Sequence, residues 1–146
     1  MNIEKMIKVL YSKNVKEAYS ILLELEQISE KNNVLYDYTD EFFKMMNDEN
    51  SYIRVRGYRL LCKQAKWDKF NKINQKIEKI LAETEDEKPI AARQKLNALI
   101  DIVLNKPELN KKMKQRISSM NISKYKENMR ELILNDIENL LKLINT

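Results

Sequence analysis

The stretch that decides the fold is Asn47–Ala65, NDENSYIRVRGYRLLCKQA. Its first five residues, Asn47–Ser51, are rich in residues that cap helices. From Ile53 the apolar positions step Ile53, Gly57, Leu60, Leu61, Ala65, the spacing of one buried helical face. A capped turn followed by a one-sided helix is half of a helical hairpin. The same unit can be traced in both directions along the chain.

Towards the N-terminus, Ile3, Met6, Ile7 and Leu10 form a first stripe. Asn14 is a good N-cap, and Glu17 three residues on completes a capping-box pattern. Ala18, Ile21, Leu22, Leu25 and Ile28 follow, then a polar turn at Lys31–Asn33, then Tyr38, Phe42, Met45 and Met46. Towards the C-terminus, Asp68 is placed to cap a fifth helix bearing Phe70, Ile73, Ile77, Ile80 and Leu81. Pro89 and Pro107 suit the first turns of a sixth and a seventh helix. The sixth is apolar nearly all round from Leu96 to Leu104, which predicts a central, buried helix. Ser123 is placed to cap an eighth, with the stripe Tyr125, Met129, Leu132, Ile133, Ile137, Leu140, Leu141 and Ile144.

Eight helices pair into four units of 37 residues. Arg56, Arg93 and Arg130 recur at that interval, each preceded by an apolar residue (Val55, Ala92, Met129). One hairpin cannot bury its own apolar face, so stacked pairs are expected. The fold class is therefore all-α: an α-solenoid of about four antiparallel pairs in a right-handed superhelix, forming a single domain over 1–146.

Composition supports this and removes chemistry. The 146 residues hold one glycine, two prolines, one cysteine and no histidine. Almost nothing is left to build β-hairpin turns, and a phosphate-cradling glycine loop, histidine-based catalysis and an internal disulfide are excluded. Cys62 sits among apolar neighbours and reads as a buried, inert thiol. Met1–Leu10 is amphipathic and carries Glu4, so it reads as neither a signal peptide nor a membrane span. A cytoplasmic location is expected. No cofactor, metal or small-molecule substrate is implied.

The stretch Asp48–Gly57 resembles the inter-helix turn and second-helix start of HEAT-like repeats, with Asp48, Ile53, Arg54 and Gly57 in the characteristic places. Asp86–Leu104 repeats the theme with Pro89, Ile90 and Arg93. The chain is also similar to a group of small HEAT-like proteins of low-GC bacteria, sometimes labelled SufBD proteins. The label implies a link to iron–sulfur assembly, although the sequence offers no set of cluster ligands. The resemblance implies a bacterial, non-enzymatic interaction module. It would bind a protein through the concave surface lined by the second helix of each pair.

Charge is uneven. Residues 1–50 hold 6 Lys/Arg and 10 Asp/Glu, residues 51–82 hold 9 and 2, and residues 83–146 hold 12 and 10. Within the basic block, Arg56, Arg59, Lys63 and Lys66 share one helical face, and Lys69, Lys72, Lys76 and Lys79 share another. The first set is the candidate binding surface, for an acidic protein or for phosphates. The plainer reading is two solvated faces. The alternative function is nucleic-acid binding through residues 51–82. HEAT-like DNA glycosylases resemble the chain in architecture only; they need a catalytic acid among aromatics, and Pro89–Leu104 offers Asp101 alone. The column Arg56, Arg93, Arg130 also reads as a structural ladder onto the turn acids Asp48, Glu49, Glu85 and Asp86. In the second unit Arg54 could take that place and free Arg56 for the surface. Trp67 reads as a packing anchor, and the cluster Glu83, Glu85, Asp86, Glu87 as solvated helix-start charge.

Overall fold

A computed structural model describes residues 1–145. Among them the chain is all-helical, with no strand. It divides into two compact units, Met1–Trp67 and a second beginning at Asp68.

In the first unit, α1 (Ile3–Val9) and α2 (Val15–Lys31) form one hairpin. A 3₁₀ turn leads into α3 (Thr39–Met45), which pairs with α4 (Ser51–Lys63). Asn14 caps as expected, but the capping box stays half-formed, because the Asn14 amide donates to the Ser12 hydroxyl and not to Glu17. Asn14 accepts from the Glu17 amide at 3.1 Å, and Asn50 from Tyr52 and Ile53. These bonds satisfy amides that no helix turn can reach. α2 also packs on α4. Their cross-links keep one offset, Glu26 with Arg59 and Glu30 with Lys63, so the two helices run parallel. Ala18, Leu22, Leu25, Phe42, Met45, Tyr58, Leu60, Leu61 and Cys62 fill the core.

Gly57 marks the closest approach of α3 and α4. A Cβ there would lie 2.5 Å from the Met45 Cβ and 2.9 Å from the Phe42 carbonyl oxygen. Neither atom is the free end of a flexible side chain, so neither can step aside.

In the second unit the N-cap of the fifth helix is Asn71 and not Asp68 as expected, though Asp68 still serves the first amides from three residues upstream. Its carboxylate accepts from the Lys72 and Ile73 amides, both at 2.9 Å. The fifth helix is nonetheless broken, into α5 (Lys72–Gln75) and α6 (Ile77–Ala82), where Lys76 leaves helical geometry at φ −111°. The sixth is broken at Leu99 into α7 (Pro89–Ala98) and α8 (Ile100–Asn105). Neither break carries Gly or Pro, so nothing local announces it. Nor is the sixth helix wholly buried, since Leu104 is exposed. Pro107 opens a 3₁₀ turn that leads into α9 (Asn110–Ser118). α10 (Glu127–Ile144) then packs on α7 and α9. Ser123 does not cap α10. The Asn121 side chain takes both the amide and the hydroxyl of Ser123, and the Tyr125 hydroxyl donates to the Asp86 carbonyl, so helix begins only at Glu127.

The acidic cluster before α7 is not solvated as a whole. Asp86 is buried and accepts from the Nζ of Lys95, itself fully buried, at 2.9 Å. Lys95 also donates to the Glu83 carbonyl at 3.1 Å. Lys106 forms a second buried site. Its Nζ lies 3.3 Å from the Asp68 carboxylate and donates to the Asn71 side chain at 2.8 Å. Asn71 holds the left-handed backbone conformation at φ 55° that this turn requires, one that Asn tolerates better than most residues.

Two expectations follow. Gly57→Ala gains helix propensity worth up to about 1 kcal/mol, yet overpacks α3 against α4 at a cost of about 1–3 kcal/mol. A net fall in the urea midpoint at unchanged m-value is the expected result; a rise would contradict the close approach. Burial raises the Glu85 carboxyl, but Arg116 at 2.7 Å, the Asn121 amide and Lys124 outweigh it and hold it below its ordinary value of 4.5. A carboxyl lowered on folding stabilises above its unfolded value and loses that contribution as pH falls through the folded one. Thermal melts from neutral pH to below 4.5 should therefore show a shallower acid loss in Glu85→Gln than in the parent chain.

Candidate functional site

The four residues expected to form one basic surface are not exposed together. Arg56 is 4% exposed, and its guanidinium donates to the Leu10 and Ser12 carbonyls at 2.7 and 3.2 Å. Burial lowers its pKa, though an arginine stays charged regardless. Arg54 reaches its own turn, donating to the Asp48 and Glu49 backbone carbonyls at 3.0 and 2.8 Å. Arg56 is not thereby released; it turns inward to the α1–α2 turn.

Arg59 is half-buried and holds Glu26 through two bonds, at 2.7 and 3.1 Å. Desolvation pulls its pKa down, but the Glu26 carboxylate outweighs it and leaves the guanidinium above its ordinary value. Lys63 pairs with Glu30 at 2.6 Å, and its hydrogen bond holds that carboxyl below the usual range. Lys66 is exposed, yet donates to the Glu30 carbonyl. Trp67 donates to the Ser29 carbonyl at 2.7 Å. The set ties α4 and the turn after it to α2.

The arginine column shares a helical position but not a partner. Arg93 holds the Asp136 carboxylate at 2.7 and 3.2 Å, while Arg130 is half-exposed near the start of α10. None of the three reaches Asp48, Glu49, Glu85 or Asp86 through a charge pair.

Another face of the first unit is more open. Val15, Tyr19 and Leu23, at i, i+4 and i+8, run along the exposed side of α2. Tyr52 opens α4. The offset of 33 residues that pairs Glu26 with Arg59 and Glu30 with Lys63 sets Tyr52 level with Tyr19. Tyr19 and Tyr52 are 49% and 56% exposed. Arg59 lies 5.9 Å from the Tyr19 ring centre, and Arg56 lies 5.8 Å from that of Tyr52. Each arginine is fixed by other bonds, so each ring rests against an immobile cation. This cluster could have been found in the sequence: α2 carries apolar residues on two faces, and only one can be buried against its own hairpin.

In the second unit a cleft of about 80 Å³ opens between α7, α8 and α10, lined by Leu96, Asn97, Ile100, Asp136, Asn139 and Leu140. It has room for a few waters, and its carboxylate already serves Arg93. Among the described residues no group of His, Cys, Asp and Glu is arranged to hold a metal ion, and no helix is long and apolar enough to cross a membrane. No family model, curated protein or solved structure matches the chain.

If Arg59 and Lys63 are cross-links, the double reversal Arg59→Glu/Lys63→Glu destabilises the fold. A hydrogen bond to a charged group is worth about 1.5–3 kcal/mol. Chemical denaturation should register at least that loss. The exchanged pair Glu26→Arg/Arg59→Glu should recover part of the Arg59→Glu deficit. An unchanged melting temperature in the double reversal would instead leave these residues as free surface charge.

Proposed function

We propose that the chain is a non-enzymatic interaction module whose second-helix face binds a protein partner. In this reading the helical pairs belong to a HEAT-like series and continue into one right-handed superhelix. The second helix of each pair would line its concave side. The observation that carries the proposal is the exposed cluster Val15, Tyr19, Leu23 and Tyr52 on α2 and α4, backed by Arg56 and Arg59. Scattered apolar side chains are ordinary on a surface; four on two packed helices, two of them tyrosines, form a patch. Tyr and Arg are the side chains that interfaces enrich, because they give large contact area at small entropic cost. A cytoplasmic setting suits a chain whose one thiol, Cys62, is buried and has no second cysteine to pair with.

The test is capture from native cell extract with tagged wild-type chain and with Tyr19→Ser/Tyr52→Ser, each with and without nuclease. Both tyrosines lie on the surface, so the double variant should melt within about 0.5 kcal/mol of wild type. A protein retained by wild type after nuclease treatment and lost with the variant supports the proposal. Equal retention by both removes this face as the binding surface.

A further inference from the structure

We propose that the second unit carries a separate surface for single-stranded nucleic acid, formed by Lys69 and Phe70 with the exposed sides of α5, α6 and α9. The basic block divides where the two units divide. Its arginines lie in the first unit, and each is engaged inside that unit. The lysines of the second unit are placed differently.

Lys69, Lys76 and Lys79 are exposed and Lys72 half-exposed along α5 and α6; Lys111, Lys112 and Lys114 are exposed on α9. α6 and α9 are in contact. Asn74 donates to Glu108 at 3.0 Å, and Lys112 lies 3.7 Å from Glu78, a constant offset of 34 residues that makes the two stretches parallel. The two lysine rows therefore flank one surface. Four carboxylates lie on or beside it, and Glu78, its side chain 74% exposed, pairs with Lys112. Asp68 is turned inward to Lys106, Glu83 answers Lys79 and Lys95, and Glu108 takes the Asn74 amide. Exposed lysines nonetheless outnumber carboxylates on this face, and the excess positive charge attracts a polyanion.

Phe70 narrows the choice of polyanion. It is 62% exposed at one end of the lysine row, with the Lys69 Nζ 5.0 Å from its ring centre. The apolar side chains of the adjoining helices, Ile73, Ile77, Ile80 and Leu81, are buried, so the core leaves this ring outside. An aromatic face beside a row of cations is the element that stacks an unpaired base while the cations follow the phosphates. A lipid surface fits less well. An interfacial helix needs a whole apolar face to insert, and here those faces are in the core.

The test uses the intact chain and a labelled oligo-deoxythymidine strand of about 20 nucleotides, long enough for one such site, read by fluorescence anisotropy. Engagement of four or five phosphates predicts a slope of about −3 in log K against log salt. Lys76→Glu/Lys111→Glu/Lys114→Glu should weaken binding at least about tenfold. Phe70→Ala should weaken it about tenfold at an unchanged salt slope, and a duplex of equal length should bind less tightly than the strand. All these positions are exposed, so the melting temperature should stay close to wild type and report that each variant is folded. The proposal is overturned if the strand fails to bind at low salt, or if either variant binds as wild type does. It is also overturned if polyglutamate of equal charge displaces the strand as well as unlabelled strand does, or if phosphatidylserine-containing vesicles bind where the strand does not.

Discussion

Helix ends must dispose of carbonyls that have no amide one turn on, and this chain has almost no glycine with which to do it. Its single glycine lies inside α4, and among the described residues the one in the left-handed region is Asn71. The carbonyls are met instead by long side chains arriving from other elements. Arg56 serves Leu10 and Ser12, Lys66 and Trp67 serve Glu30 and Ser29 at the end of α2, and Lys95 serves Glu83 at the end of α6. Lys124 and Tyr125, in the turn before α10, donate in the same way to the Glu85 and Asp86 carbonyls of the turn before α7. Each such bond satisfies a backbone group and also fixes one hairpin against the next. Much of the positive charge is therefore structural before it is available to any partner.

This constraint separates the surfaces. In the first unit the arginines are fully engaged, and what stands free of the core is a tyrosine and aliphatic face braced by them. A rigid aromatic surface loses little freedom on binding, which favours specific contact. In the second unit the buried cations are lysines, each compensated by a buried aspartate, Lys95 by Asp86 and Lys106 by Asp68. Removing one partner of such a pair leaves a charge stranded in the core, typically a loss of about 3–5 kcal/mol. The aspartates drawn inward by these lysines are unavailable to neutralise the lysines outside. Core electrostatics and surface field are in this way coupled.

Much of the helical plan was legible in the residue order. The all-helical class follows from the scarcity of Gly and Pro and from the 3.6-residue recurrence of apolar side chains. Asn14, Asn50 and Pro89 stand at helix starts, and Asp68 just ahead of one, because capping depends on residues within a few positions of one another. Such local rules can be read without knowing what packs where. Ser123 shows their limit: its hydroxyl was claimed by Asn121, and a tyrosine anchored on another turn held the chain off helix until Glu127.

Only the tertiary structure decided which polar residues are inside. The spacing of Arg56, Arg59, Lys63 and Lys66 marks one side of a helix, but not whether solvent or another helix meets that side. The answer lies in residues more than 30 positions away, Leu10, Glu26 and Glu30. The same holds for Asp86, whose partner Lys95 lies across a turn, and for the breaks at Lys76 and Leu99, where no Gly or Pro marks the site. Helical periodicity is a property of one segment and its nearest neighbours. Burial of charge depends on which segments the packing brings together.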